Sequence, residues 1–474
     1  MKPLKILCAA SEALPFASSG GLGDVIGSLP KALMGRYGDE LDIRVVLPLY
    51  KSVPQSFRDE MTRVAVITVP LAWRRKYCGI YSLVRDGVTY YFIDNEYYFA
   101  RQSLYGSFDD GERYAFFSKA VLEILPHIDF WPDVLHAHDW QSALSVIYLR
   151  RKYCADPAYN AIRAVFTIHN IEYQGVYGFD ILGDIFDLTE FDREIVEYGG
   201  AVNLMKGAII CADIVTTVSP RYAQEILTSE YAHGLHYVLG VYASKLRGII
   251  NGIDTEYYDP HTDPAIRKNY TWRSIGRKQE NKKYLLRELN LPESDAPLIA
   301  VISRLTTHKG LDLLTWAADR LLERDVKLVV LGTGDYHFER YFERLAQRYP
   351  YKVSTTLRYD KELSKRIYAS ADMFLMPSKS EPCGLSQMIA SRYGAVPIVR
   401  QAGGLYDTIH EDDNGFTFYA YNGGEMLYAV QRALECYEDK ERWKELVVRV
   451  MKKDFSWNVS AAEYRKLYME LTNA

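Results

Sequence analysis

At 474 residues the chain exceeds what one hydrophobic core usually serves, and 48% hydrophobic with 25% charged residues supplies material for two cores. Lys and Arg (57) nearly balance Asp and Glu (61), for a net charge of −4, so no global basic field draws in nucleic acid or an anionic membrane. Cys8, Cys78, Cys154, Cys211, Cys383 and Cys436 form no C-x-x-C pair and no metal-ligand spacing, and the apolar run at 6–10 is too short to span a bilayer. A reduced, cytoplasmic protein is expected, with any phosphate-binding charge held locally. The 38 tyrosines are read chiefly as packing residues.

Short β-branched and apolar runs alternate with helical patterns, the signature of βαβ units around mostly parallel sheets. Strands are expected at 5–9, 43–47, 134–136, 164–168 and 214–218, and a second series at 298–302, 326–331, 373–376 and 396–399. Within the second series, Leu311, Leu314, Ala318, Leu321 and Leu322 share one helical face. Residues 257–278, polar and broken by Pro260 and Pro264, read as the interdomain connection. Phe455, Trp457, Val459, Tyr464 and Leu467 then suggest a C-terminal helix packed on the body.

In open parallel sheets, ligands bind beyond the carboxyl ends of the strands. After the first strand, Ser18-Ser19-Gly20-Gly21-Leu22-Gly23-Asp24 leads into an amphipathic run carrying Val25, Ile26, Leu29, Ala32 and Leu33. Glycine lets backbone approach a ligand and a helix start offers free N–H groups, although a tight structural turn has the same composition. Ile26 stands where a dinucleotide fingerprint needs glycine, and no Walker lysine is present, so a dehydrogenase or P-loop ATPase is disfavoured. Further strand ends lead into His138-Asp139-Trp140-Gln141 and His169-Asn170. A lone histidine there is more often structural, but two such loops together point to a site.

In the second half, Ser303-Arg304 and Lys309-Gly310 place two cations five positions apart before a helix, a spacing suited to clamping a pyrophosphate. Gly332-Thr333-Gly334-Asp335 is a turn that is either structural or admits a base or ribose. Glu381-Pro382-Cys383-Gly384-Leu385 follows, with Pro382 suited to the first helical position and Gly394 to the cap. A carboxylate beside the N–H groups of Cys383, Gly384 and Leu385 suits sugar hydroxyls on one side and phosphate oxygens on the other. Gly403-Gly404-Leu405 closes the series. The residues alone thus indicate a two-domain α/β enzyme that binds a phosphorylated ligand between its domains.

Taken in order, Gly20-Gly21-Leu22-Gly23-Asp24-Val25, His136-Ala137-His138-Asp139-Trp140, Thr167-Ile168-His169-Asn170, Asn251-Gly252-Ile253-Asp254, Ser303-Arg304-Leu305, Lys309-Gly310, Glu381-Pro382-Cys383-Gly384-Leu385 and Gly403-Gly404-Leu405 resemble a known set. It is that of the bacterial glycogen synthases and plant starch synthases, retaining glycosyltransferases of the GT-B fold. The resemblance covers nearly the whole chain. It implies two Rossmann-like doubly wound domains facing across a cleft: residues 1–255 with the acceptor side and catalytic wall, 256–453 with the nucleotide-sugar donor site, and 454–474 as a helix returning to the first domain.

The implied reaction moves glucose from a nucleotide-glucose, ADP-glucose being the expected donor, to the non-reducing end of an α-1,4-glucan. By resemblance, Arg304 and Lys309 hold the donor phosphates, and Glu381 with Cys383, Gly384 and Leu385 holds the glucose hydroxyls. His169 and Asp139 stand near the reacting carbon, with Asn170 and Asn251 in support. Gly20, Gly21, Leu22, Ser303, Gly332 and Gly334 complete the donor set, and Asp24, His138 and Tyr173 contact the acceptor. The nucleotide-sugar is a substrate, and no cofactor or metal is expected. Neither nucleic acid nor membrane is an expected partner.

Two departures stand out. Much of the family has lysine where this chain has Ser18, and Ile389 stands where the wider superfamily has a second glutamate. Alternatives are therefore a weakly active or inactive glucan-binding or regulatory homologue, and a disaccharide-forming transferase of the same fold.

Overall fold

The computed structural model describes residues 2–473; Met1 and Ala474, outer ends of the expected domains, lie outside the described residues. The chain divides into two compact units, Met1–Gly252 with Trp457–Ala474, and Ile253–Ser456. Among the described residues no helix is long and apolar enough to cross a membrane.

Unit one contains β1 (Leu4–Ala9), β2 (Leu41–Pro48), β3 (Thr62–Leu71), β4 (Arg74–Arg85), β5 (Val88–Asp94), β6 (Val134–His138), β7 (Arg163–Ile168), β8 (Val176–Tyr177), β9 (Glu197–Tyr198), β10 (Ala201–Asn203), β11 (Ile214–Thr217) and β12 (Leu246–Gly248). Nine of these form one sheet in the order β12-β11-β7-β6-β1-β2-β5-β4-β3, and β8-β10-β9 make a small antiparallel sheet. Pairing is parallel from β12 to β5, and β4 and β3 continue it as an antiparallel meander.

The central strands are apolar because helices cover both faces, and every residue of β6 is buried. The meander was not expected from sequence. Its outer strands carry polar, partly exposed residues such as Arg63, Arg74 and Lys76, which blur the apolar signal.

The helix Trp457–Asn473 packs within unit one, against the helix Gly21–Tyr37. Tyr464 and Tyr468 are fully buried, Ser460 Oγ donates to the Ile250 carbonyl at 2.5 Å, and Arg465 pairs with Glu40.

Unit two holds β13 (Leu298–Ile302), β14 (Lys327–Leu331), β15 (Val353–Thr356), β16 (Met373–Met376), β17 (Val396–Arg400) and β18 (Phe416–Phe418). They form an all-parallel sheet in the order β15-β14-β13-β16-β17-β18. The helix Leu311–Leu322 buries the apolar face read from its spacing. Residues 257–278 are packed rather than free. Tyr270 is buried and donates to the Tyr393 carbonyl at 2.7 Å, and the buried Lys278 ammonium donates to the carbonyls of Tyr368 and Tyr393. Buried polar anchors are invisible to a reading based on apolar periodicity.

Both sheets reverse their winding once. In unit one the chain adds strands on one side of β1, then returns to start β6 on the other; in unit two β13 and β16 are related in the same way. Such switch points open a crevice at the carboxyl ends of the two strands.

Candidate active site

At the switch point of unit one, the loop after β1 is organised by an acid. Glu12, 3% exposed, accepts the Ser19 N–H at 2.6 Å, the Ser19 hydroxyl at 2.7 Å, the Gly20 N–H at 3.1 Å and the Tyr105 hydroxyl at 2.6 Å. A carboxylate accepting several N–H and O–H donors fixes the loop's path. A Cβ built on Gly20 or Gly21 would meet nothing within 4 Å, so these two leave the backbone accessible, whereas one on Gly23 would lie 2.3 Å from Ser18 Oγ. Leu22 is buried, and Asp24 lies in the first helical turn. Glu12→Ala is expected to cost about 1–2 kcal/mol in urea unfolding, because Tyr105 and the loop amides lose a charged acceptor.

After β6, Asp139 adopts φ 57° and ψ 177°, a strained backbone for any residue other than glycine. That turn brings its carboxylate to the His169 N–H at 2.7 Å. Burial pushes the Asp139 carboxyl up to about 7, against the lowering effect of backbone hydrogen bonds from His169 and Asn170, and the Glu12 charge adds to the rise.

His169 Nε2 lies 3.0 Å from Nδ1 of the fully buried His138. His136 Nδ1 meets the Tyr468 hydroxyl at 2.7 Å, and its Nε2 meets Thr167 Oγ1 at 2.6 Å. Asn170 Oδ1 accepts the Glu172 N–H, Tyr173 is 51% exposed, and Asn251 is buried with its Oδ1 unpartnered among the described residues.

Burial lowers all three histidines, His136 and His169 to about 3 and His138 well below its ordinary value. The unfolded chain takes up these protons near pH 6.5, whereas in the native state His136 and His169 take theirs up only near 3 and His138 stays neutral well below its ordinary range. Their stabilising contribution is therefore present above pH 6.5 and lost as pH falls through that window. Asp139 acts with the opposite sign, since its raised pKa favours the native state at low pH, but one group opposes three. Urea midpoints are expected to fall steadily from pH 6.5 to 4.5; a flat profile would contradict this reading.

At the switch point of unit two, the loops after β13 and β16 are in backbone contact. Gly310 has φ +69°, and a Cβ there would sit 1.9 Å from the Pro377 carbonyl oxygen. Lys309 Nζ donates to both oxygens of Glu381, at 2.9 and 2.7 Å, and Ser378 Oγ donates to Oε2 at 3.0 Å. Glu381 is only 6% exposed. Arg304 is exposed, with no side-chain partner among the described residues. The sequence-derived trio thus resolves into a buried ion pair and an available cation. Ser303 Oγ turns back to the Arg304 carbonyl at 3.1 Å.

The glycines of this wall answer mainly to backbone packing. A Cβ on Gly332 would meet the Ser303 carbonyl at 1.9 Å, and one on Gly334 the Leu305 carbonyl at 2.5 Å. Gly403 and Gly404 likewise press on the carbonyls of Glu381 and Cys383, and the Gly404 N–H donates to the Glu381 carbonyl at 3.1 Å.

The helix expected to start at Pro382 begins later, at Ser386, and runs to Arg392. Positive φ at Gly384 (+74°) carries the chain through a loop first, so Cys383, Gly384 and Leu385 lie in or at the end of that loop rather than in a helical turn. Gln387 secures it, its amide donating to the Gly384 carbonyl at 2.9 Å and to Thr408 Oγ1 at 3.2 Å. Sequence reasoning missed Gln387, Ser378 and Glu12. Glu12 was findable, since it stands just beyond a strand end at the switch point.

Residues 5–240 match the family model of the starch synthase catalytic domain, and 283–447 that of glycosyl transferases group 1. A glycogen synthase from Bacillus cereus is 48% identical over 99% of this chain and 100% of its own length. One from Geobacillus thermodenitrificans is 47% identical over 99% and 98%. The catalytic domain of starch synthase IV from Arabidopsis thaliana, bound to ADP and acarbose, matches with a TM-score of 0.91 at 37% identity over 100% of both chains. A sucrose-phosphate synthase from Thermosynechococcus elongatus, at TM-score 0.63 and 17% identity over 99% of both chains, is alike in fold alone.

Two doubly wound sheets, each with charged loops at its switch point, define a glycosyltransferase of the GT-B fold. Within that class, the chain belongs to the glycogen synthase and starch synthase family.

Proposed function

We propose that this protein transfers glucose from ADP-glucose to the non-reducing end of an α-1,4-glucan with retention of configuration. The observation that carries the residue assignment is the grouping of Arg304, Lys309 and Glu381 on the two loops that meet at the switch point of unit two. Relatives named glycogen synthase, and a starch synthase domain that binds ADP and acarbose, support the substrate classes.

In this reading unit two holds the donor. Arg304 meets the diphosphate, and Lys309 balances Glu381 while facing the charge that builds on the leaving group. Glu381, Cys383 and Gly384 orient the glucose, and Ser303, Gly332 and Gly334 shape the nucleotide loops. Unit one contributes the Gly20-Gly21 backbone, Asp139 and His169, with Asn170, Asn251, Asp24 and Tyr173 completing the donor and acceptor contacts.

The glucose C1–O bond to the diphosphate breaks as a C1–O bond to the acceptor 4-hydroxyl forms on the same face. The acceptor proton passes to the departing phosphate oxygen. Asp139 is not assigned as a nucleophile, since its carboxylate is committed to backbone N–H groups.

Incubation with ADP-glucose and a maltooligosaccharide tests this. A ladder of longer glucans with matching ADP release is expected. A disaccharide as sole product, or glucan binding without ADP release, would contradict the assignment.

A further inference from the structure

His138 is fully buried, and its ring touches the site only through Nδ1, 3.0 Å from His169 Nε2. Its other nitrogen, Nε2, is buried with no partner among the described residues. A neutral imidazole carries one proton, so two arrangements satisfy the bond between these rings. Either His138 donates from Nδ1 and leaves a bare lone pair at Nε2, or His169 donates from Nε2 and strands a His138 N–H at the unpartnered position.

Orphaned buried N–H groups are rarer than under-satisfied acceptors, and the cost of stranding a donor is its full desolvation. Cys8 Sγ and one ring nitrogen each of His136 and His138 lie within 4.8 Å of one another. Burial pushes the Cys8 thiol up to about 12, so it stays an S–H group.

The same three side chains could be read as a soft-metal ligand set. Both ring nitrogens of His136 are already engaged, however, by Tyr468 and Thr167, and coordination would break one of those bonds.

We infer that His138 is a positioning residue that fixes the tautomer of His169, so that His169 carries its proton on Nδ1 and offers its ligand a hydrogen-bond donor rather than a base. His169 is half-buried and has no other side-chain partner among the described residues, which leaves Nδ1–H for a ligand. A neutral donor can bind a sugar hydroxyl without placing positive charge beside a carbon that itself becomes positive during transfer. That last step rests on the proposed function; the tautomer does not.

The chain carries ten histidines, few enough for selective 15N-histidine labelling and a long-range 1H–15N spectrum at neutral pH. His169 is assigned by the signal lost in His169→Asn. Its Nδ1 is expected to show the protonated pattern and its Nε2 the bare one. The reverse pattern, or averaging between tautomers, would overturn the inference whatever sugar the protein transfers.

Activity supplies a second readout. His138→Asn keeps an amide donor near the Nδ1 position and removes only the unpartnered edge, and is expected to hold kcat within about threefold of the parent. His138→Phe removes the donor and is expected to lower kcat about tenfold or more with the glucan KM little changed. Equal loss in both variants, or none in His138→Phe, would also overturn it. Absence of glucan elongation by the parent protein would remove the function while leaving the spectrum to decide the tautomer.

Discussion

Arg304→Ala is expected to lower turnover about a hundredfold while leaving the fold intact, the scale of losing one preorganised charge at a developing anion. The arginine is exposed and has no side-chain partner among the described residues, so truncation breaks no interaction of the folded chain. Surface changes of this kind usually stay within about 0.5 kcal/mol of the parent. The loss should therefore appear in kcat/KM for the donor and not in the thermal midpoint. Arg304→Lys should recover only part of it, because an ammonium cannot reproduce the planar two-pronged contact with phosphate. Steady-state kinetics beside thermal unfolding check both halves, and a near-normal rate in Arg304→Ala would place the donor phosphates elsewhere.

Glu381→Gln is expected to cost about a hundredfold in turnover as well, but with a second signature. The carboxylate is buried and receives both Lys309 contacts and the Ser378 hydroxyl. Its neutral isostere keeps the shape and leaves the Lys309 ammonium short of a counter-charge. A destabilisation of about 1–3 kcal/mol should accompany the kinetic loss, because one half of a buried pair is stranded. Lys309→Met strands the opposite half. The double variant should then be more stable than the sum of the two single losses predicts, and a double-mutant cycle in urea measures that coupling. Full additivity would mean that the pair is not energetically joined.

The contrast between these residues shows what was legible in the sequence. Both are polar residues beyond apolar strands, and the four central strands of unit two, β14, β13, β16 and β17, were readable because they are buried on both faces and carry no competing pattern, whereas the short edge strands β15 and β18 were not expected. Leu298–Ile302 and Met373–Met376 coincide with the runs expected there. What separates an exposed arginine from a buried ion pair is the path of two loops distant in sequence, which no local pattern encodes.

The same limit explains Pro382, whose fit to a helix start was overridden by the left-handed turn at Gly384 and by backbone contact with Gly403 and Gly404. It explains Glu12 too, whose partner Tyr105 is 93 positions away. The expected contact of His138 with an acceptor rested on motif position, but burial places its ring behind His169. Ser18, where much of the family has lysine, is exposed, with its hydroxyl turned to the Gly20 carbonyl at 3.2 Å. A Ser18→Lys variant would show whether added charge there strengthens donor binding.

The central claim is glucose transfer to the non-reducing end with an α-1,4 linkage, and the fate of labelled glucose tests it most directly. The glucan made from radiolabelled ADP-glucose is digested by an exo-acting enzyme that releases maltose from the non-reducing ends of α-1,4-glucans. All of the label should leave as maltose. Label that resists the digestion, or that was never in a glucan longer than its acceptor, would contradict the account.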